Sequence, residues 1–120
     1  MALGKIKADT LEHSTAGSLE TNFVILGGVK IWAKFNGSTF GEIDSFNVSS
    51  FTDSGTGNYT VNLSTSFANA NHSSVEGSGA YHTTNDATNA AGTCNVACYN
   101  SSHSAADESR VNVHSCGDMA

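Results

Sequence analysis

His114 and Cys116 stand two residues apart near the end of the chain, in "VNVHSCGD". On a β-strand that spacing puts both side chains on one face, because successive residues alternate between faces. Imidazole and thiolate together suit zinc or iron, and three copies around an axis would converge six such donors. Two donors per chain are also common by chance, so the pair is expected to pack at an interface, with no metal or other cofactor bound. Cys94 and Cys98 lie four apart in "TCNVACYN". In a strand they would be about 13 Å apart, beyond a disulfide's reach. They are expected to line, with Val96, the buried face of one strand, since a free cysteine packs as a small hydrophobe.

The aromatic residues offer a second chemistry, stacking on sugar rings. Trp32 lies between Lys30 and Lys34 on the polar side of an alternating run. Tyr81 and His82 fall in an unpatterned stretch, and loops concentrate recognition residues. Tyr99 follows the cysteine strand. Trp32, Tyr81, His82 and Tyr99 are therefore the candidate binding residues, weighed against ordinary packing of aromatics in a small domain. No nucleophile motif is visible. Asp44, Asp53, Asp86 and Asp118 sit in turn contexts, where aspartate caps and bends the chain. No catalytic residue is expected. Six N-x-S/T triplets begin at Asn36, Asn47, Asn58, Asn62, Asn71 and Asn100. Without a recognisable signal peptide they read as chance in an Asn- and Ser-rich chain.

These side chains need a scaffold, and the composition says which kind. The 120 residues are 38% hydrophobic and 13% charged, contain no proline and carry a net charge of −6. Ser, Thr, Asn and Gly make up roughly two-fifths of the chain, far above ordinary usage. Such a composition disfavours helix and suits β-structure with polar turns. Five Lys and Arg in total leave no basic track for a phosphate backbone, so no nucleic-acid partner is expected. "FVILGGV" is the longest apolar run and is too short to cross a bilayer, so no membrane insertion is expected either. "MALGKIKADTLEH" has no apolar core of a signal peptide, which predicts synthesis in the cytoplasm and export by another route.

Alternation places the strands. Val29, Ile31, Ala33 and Phe35 alternate with Lys30, Trp32 and Lys34, and Asn36-Gly37 follows as a hairpin signal. "DSFNVSSFTDSGTGNYTVNLSTSF" predicts two antiparallel strands around Gly55 and Gly57. Weaker strands are expected near 71–79, in "TCNVACYN" and in "RVNVHSCGD", with Val111 and Val113 inward. Residues 81–93 read as a loop. Phe23 to Leu26 reads as a short strand buried on both sides, and Asp9 to Glu12 as the start of a helical turn. The expected fold is all-β: a small antiparallel β-sandwich of six to seven strands, residues 23–120, behind an extended or partly helical N-terminal arm, residues 1–22. A thin core in so short a chain makes self-association the expected route to stability.

The motifs carry a resemblance. "SLETNFVI" and "GGVKIWAKFNG", followed by "DSFNVSSFTDSGTGNYTVNLSTSFANANHS", resemble a family of short bacteriophage tail-fibre and tail-tip proteins. "DTLEHSTAGSLET", from Asp9 to Thr21, looks like the arm that precedes the domain in such proteins. The likeness covers most of Asp9 to Ser74 and fades beyond. The family places apolar residues where His114 and Cys116 stand here. The resemblance implies a β-sandwich head on a homotrimeric fibre. The arm would meet other virion proteins and the head a glycan or protein of the host surface. It also implies a place on the extracellular virion, after synthesis in the bacterial host cytoplasm. Two alternatives stay open at this level: a trimeric capsid decoration or head-fibre protein, and a bacterial carbohydrate-binding module.

Overall fold

A computed structural model describes residues 4, 6–79, 82–85 and 89–120, with the backbone alone at 13, 82, 84 and 85. Among the described residues the chain is mostly β, with 53% in strands, several antiparallel sheets, one short helix and no closed barrel. Two of its sheets have four strands each. The first has the order β4-β3-β10-β7. Its strands are β3 (Val29–Asn36), β4 (Gly41–Phe46), β7 (Ser73–Ser78) and β10 (Val111–Cys116). The second has the order β5-β6-β9-β8. It holds β5 (Val48–Gly55), β6 (Asn58–Leu63), β8 (His82–Asn85) and β9 (Thr93–Tyr99). Eight strands exceed the expected six to seven. β8 runs through the stretch read as loop, and β4 starts soon after Asn36-Gly37.

One hydrophobic cluster draws on both four-stranded sheets. Ile31, Ala33, Phe35, Val111 and Val113 come from the first. Tyr59, Val61, Leu63, Cys94, Val96 and Cys98 come from the second. These are the alternating positions expected to point inward. The Phe35 ring lies 4.9 Å from that of Phe51 and 5.3 Å from that of Tyr59, the latter edge-on. A hairpin follows as expected, but Asn36 pairs with Gly41, so its loop has the four residues 37–40 instead of the two that Asn-Gly signals; Asn36 Oδ1 accepts the N–H groups of Ser38 and Thr39 at 2.9 and 3.0 Å. Gly37 is required there by close approach. A Cβ at that position would overlap the Tyr59 hydroxyl.

The segment around Asp44 divides where the sequence showed continuity. Phe46 ends β4 in the first sheet, and Val48 opens β5 in the second. Asn47 makes the corner with a φ of 59°, in the left-handed region that Asn tolerates better than most residues. β5 and β6 then pair antiparallel around Gly55 and Gly57, as the alternation predicts.

The N-terminal segment departs most from expectation. β1 (Thr10–His13) and β2 (Gly17–Glu20) pair as a hairpin, so Asp9 to Glu12 begins a strand and not a helical turn. The helix comes later, as α1 (Thr21–Gly27), and it contains the run expected to be a doubly buried strand. None of its residues is buried. A short apolar run fits strand and helix equally by periodicity, and here it is left half-exposed instead of buried on both sides. Thr21 ties α1 to the hairpin, donating its N–H to the Asp9 carbonyl at 2.9 Å and its hydroxyl to the Ala8 carbonyl at 2.7 Å. The Cα radius of gyration is 16.8 Å, against about 13.6 Å for a compact chain of this length, so the molecule is elongated. Among the described residues no helix is long and apolar enough to cross a membrane.

Candidate functional site

β3 turns Ile31, Ala33 and Phe35 into the core. Alternation therefore puts Lys30, Trp32 and Lys34 on the opposite, solvent side. β10 does the same, burying Val111, Val113 and Ser115 and leaving His114 exposed. Pairing then brings separate predictions together. Trp32 stands opposite His114 on β10 and opposite Phe46 on β4. His114 in turn stands opposite Val75 on β7. Phe46, Trp32, His114 and Val75 thus form one row across all four strands, spanning roughly 14 Å at ordinary strand spacing. Phe46 is 55% exposed and Val75 72%. Trp32 is half-buried between its neighbours. The row is an open aromatic and apolar strip on a sheet face, with Lys34 opposite Asp44 and Asn112 in the next row.

The other sequence candidates lie elsewhere. Tyr81 lies outside the described residues. His82 opens β8 opposite Tyr99 on β9, at one end of the second sheet. Tyr99 is half-buried and its backbone bridges Ala105. His82 and Tyr99 are brought to each other and not to Trp32. Cys116 shares the His114 face as spacing predicts, beyond a register shift after Ser115. Among the described residues no group of three or more His, Cys, Asp or Glu is placed to hold a metal ion. Cys94, Cys98 and Cys116 are free thiols. Cys94 and Cys98 are fully buried on β9, and burial pushes both thiols above their ordinary range.

One polar cluster escaped the sequence reading. The His72 ring stacks on Phe67 at 4.3 Å between centroids, in a nearly parallel arrangement. Its Nε2 lies 3.2 Å from the Ala90 carbonyl, which can only accept, so Nε2 carries a proton. Its Nδ1 faces Ser115 Oγ at 2.9 Å, with Cys94 Sγ at 3.9 Å. Ser74 Oγ donates to Ser115 Oγ at 3.1 Å, and Ser115 Oγ donates to the Ser73 carbonyl at 2.8 Å. These are the residue types of nucleophilic catalysis, but His72 is 8%, Ser115 1% and Cys94 0% exposed. A raised, enclosed thiol is a poor nucleophile. The cluster pins β7 and β10 to the second sheet. Nothing in "NANHSS" announces it, because the imidazole meets its partners only through strand pairing.

The electrostatics favour the outer row over any buried site. The chain carries a net charge of −6, yet Lys30 and Lys34 flank Trp32 on one face. Lys30 Nζ donates to the Val24 carbonyl at 3.2 Å, which ties α1 to the start of β3. Comparisons with protein-family models, with curated proteins and with solved structures return no match. The tail-fibre resemblance therefore rests on the quoted motifs alone.

Proposed function

We propose that the chain is a structural, non-catalytic attachment protein of a bacteriophage particle. In this reading it is a short trimeric tail fibre. The two four-stranded sheets form a β-sandwich head that meets the host surface. The N-terminal arm assembles the copies and docks them on the virion.

One observation carries the reading. Of the eleven exposed large apolar residues among those described, eight lie between Ile6 and Val29, while the head has a closed core of its own. They are Ile6, Leu11, Leu19, Phe23, Val24, Ile25, Leu26 and Val29. At 45% to 92% exposure each they present several hundred Å² of apolar surface, the scale of one partner's share of a standard interface. An isolated helix of seven residues is also far below the length that persists in water without packing. Such an arm suits a surface that is covered in an assembly. Low charge supports self-contact: residues 1–28, the arm of 1–22 together with the rest of α1, have two Lys and three Asp or Glu, a net −1, leaving −5 for the remainder. Like copies repel least through the arm.

The exposed row also suits a stand-alone carbohydrate-binding module, and the arm separates the two readings. Antibody labelling of purified particles, with sedimentation of the isolated protein, tests them. Tail label and a trimer are expected. Label on the capsid would favour a decoration protein. A soluble monomer absent from particles would overturn the proposal in favour of the binding module.

A further inference from the structure

We infer that the row Phe46–Trp32–His114–Val75 is a binding site for an anionic glycan, one bearing carboxylate or phosphate groups. From the proposed function the inference takes only that this face meets a cell surface. Two features of the face select the ligand.

The first is charge. The three cations beyond residue 28 are Lys30, Lys34 and Arg110. Two of them flank Trp32 on β3, and Arg110 directly precedes β10, the strand paired with β3. On the solvent side of β3 and β4 the acid in register is Asp44, opposite Lys34. With Lys30 and Lys34 against Asp44, and Glu42 further along β4 opposite Phe35, the stretch beside Trp32 is locally positive on a chain of net charge −6 and so complements an anion. The second feature is shape. The apolar strip is one residue wide and is bordered by the Lys34, Asp44 and Asn112 row. A sugar ring has an apolar C–H face for Trp32 and a rim of hydroxyls for polar neighbours. His114, beside Trp32, adds a ring nitrogen within the strip. A helical peptide would need a groove, and this strip lies on the face of a sheet. An acidic peptide would meet the cations but leave the tryptophan unused.

Trp32 is the sole tryptophan, so its fluorescence reports on this face alone. The full chain is titrated with an oligogalacturonate, with a neutral malto-oligosaccharide of equal length and with oligoglutamate, at low and high salt. A saturable change in Trp32 emission with the uronate is expected, roughly tenfold weaker with the neutral sugar and weakened by salt. Lys34→Gln and His114→Ala, both at exposed positions, should each weaken uronate binding several-fold while leaving the melting curve in place. Absence of a saturable response to the uronate overturns the inference, as does equal binding of the neutral sugar. Equal or tighter binding of oligoglutamate also overturns it and makes the face a site for acidic peptides. Particle labelling is independent of these outcomes. A tail-located protein blind to uronate loses this inference and keeps the proposed function. A uronate binder absent from particles does the reverse.

Discussion

The Tyr59 hydroxyl donates to Asp107 Oδ1 at 3.0 Å, and the same oxygen accepts the Gly57 N–H at 2.7 Å. One carboxylate thus ties the turn between β5 and β6 to the polar turn before β10. Gly57 is wedged there with a φ of 69°, and a Cβ would come within 2.6 Å of both Ala106 N and the Cys98 carbonyl oxygen. Tyr59→Phe keeps the ring contact with Phe35 and removes only the hydroxyl. It should cost about 1–2 kcal/mol, the worth of a hydrogen bond to a charged acceptor. Asp107→Ala should cost more, about 2–3 kcal/mol, because the buried Gly57 N–H also loses its partner. Asp107→Asn keeps an acceptor and should fall below both. Urea denaturation measures the order, and a Tyr59→Phe loss exceeding that of Asp107→Ala would contradict it.

Stability should decline in alkali. Burial raises the thiols of Cys94 and Cys98, and burial with the Asp107 hydrogen bond raises the Tyr59 phenol. All three groups then hold their protons more tightly folded than unfolded. Their contribution is complete below the unfolded values, 9.0 for the thiols and 10.0 for the phenol, and is lost as pH climbs past them. Melting followed from about pH 7 to about pH 10.5 should show a falling midpoint, with the fall beginning in the thiol range. A Cys94→Ala, Cys98→Ala variant should be less stable at neutral pH but flatter across that range. A wild-type midpoint that holds or rises up to the phenol range would count against this.

Legibility followed the distance over which information had to travel. β3, β6, β9 and β10 were readable because each carries its own inside-outside alternation, as Ile31, Ala33 and Phe35 show against Lys30, Trp32 and Lys34. α1 was not, because Phe23 to Leu26 has no period and its exposure depends on what surrounds it. β8 has small and polar residues that give no pattern, and it is held by pairing with β9. Trp32 and His114 were each visible as candidates. Their juxtaposition depends on β3 pairing with β10 from the far end of the chain, which no local spacing encodes. His72 was invisible for the same reason.

Asn47 tests the corner that moves the chain from one sheet to the other. Its Nδ2 donates to the carbonyls of Thr65 and Lys30 at 3.0 and 3.3 Å, and its Oδ1 accepts the Thr65 N–H at 2.8 Å. Asn47→Gly relieves the left-handed backbone and loses these bonds, a cost of about 1–2 kcal/mol. Asn47→Ala loses them and keeps a Cβ in the left-handed region without the side-chain bonds that let asparagine tolerate it, so about 2–4 kcal/mol is expected. The two variants isolate the backbone contribution when their denaturation midpoints are compared. Equal losses would mean that the positive φ carries no strain here.

The arm makes the sharpest demand on assembly. Phe23 and Ile25 are each 62% exposed in the single chain, so replacing both with serine removes little packing within it. Substitutions at such exposed sites ordinarily change stability by about 0.5 kcal/mol or less. In the proposed trimer the same changes would place two hydroxyls against a neighbouring copy's apolar surface, and central apolar anchors dominate interface energy. The double variant should therefore keep the head's melting transition and shift sedimentation from trimer to monomer. Removing residues 1–28, the arm together with α1, should likewise leave a folded head that no longer joins the virion of the proposed function. A head that unfolds on that deletion would make the arm part of the core. If the wild-type chain sediments as a folded monomer at micromolar concentration, copies do not cover the arm, and the trimer falls with it.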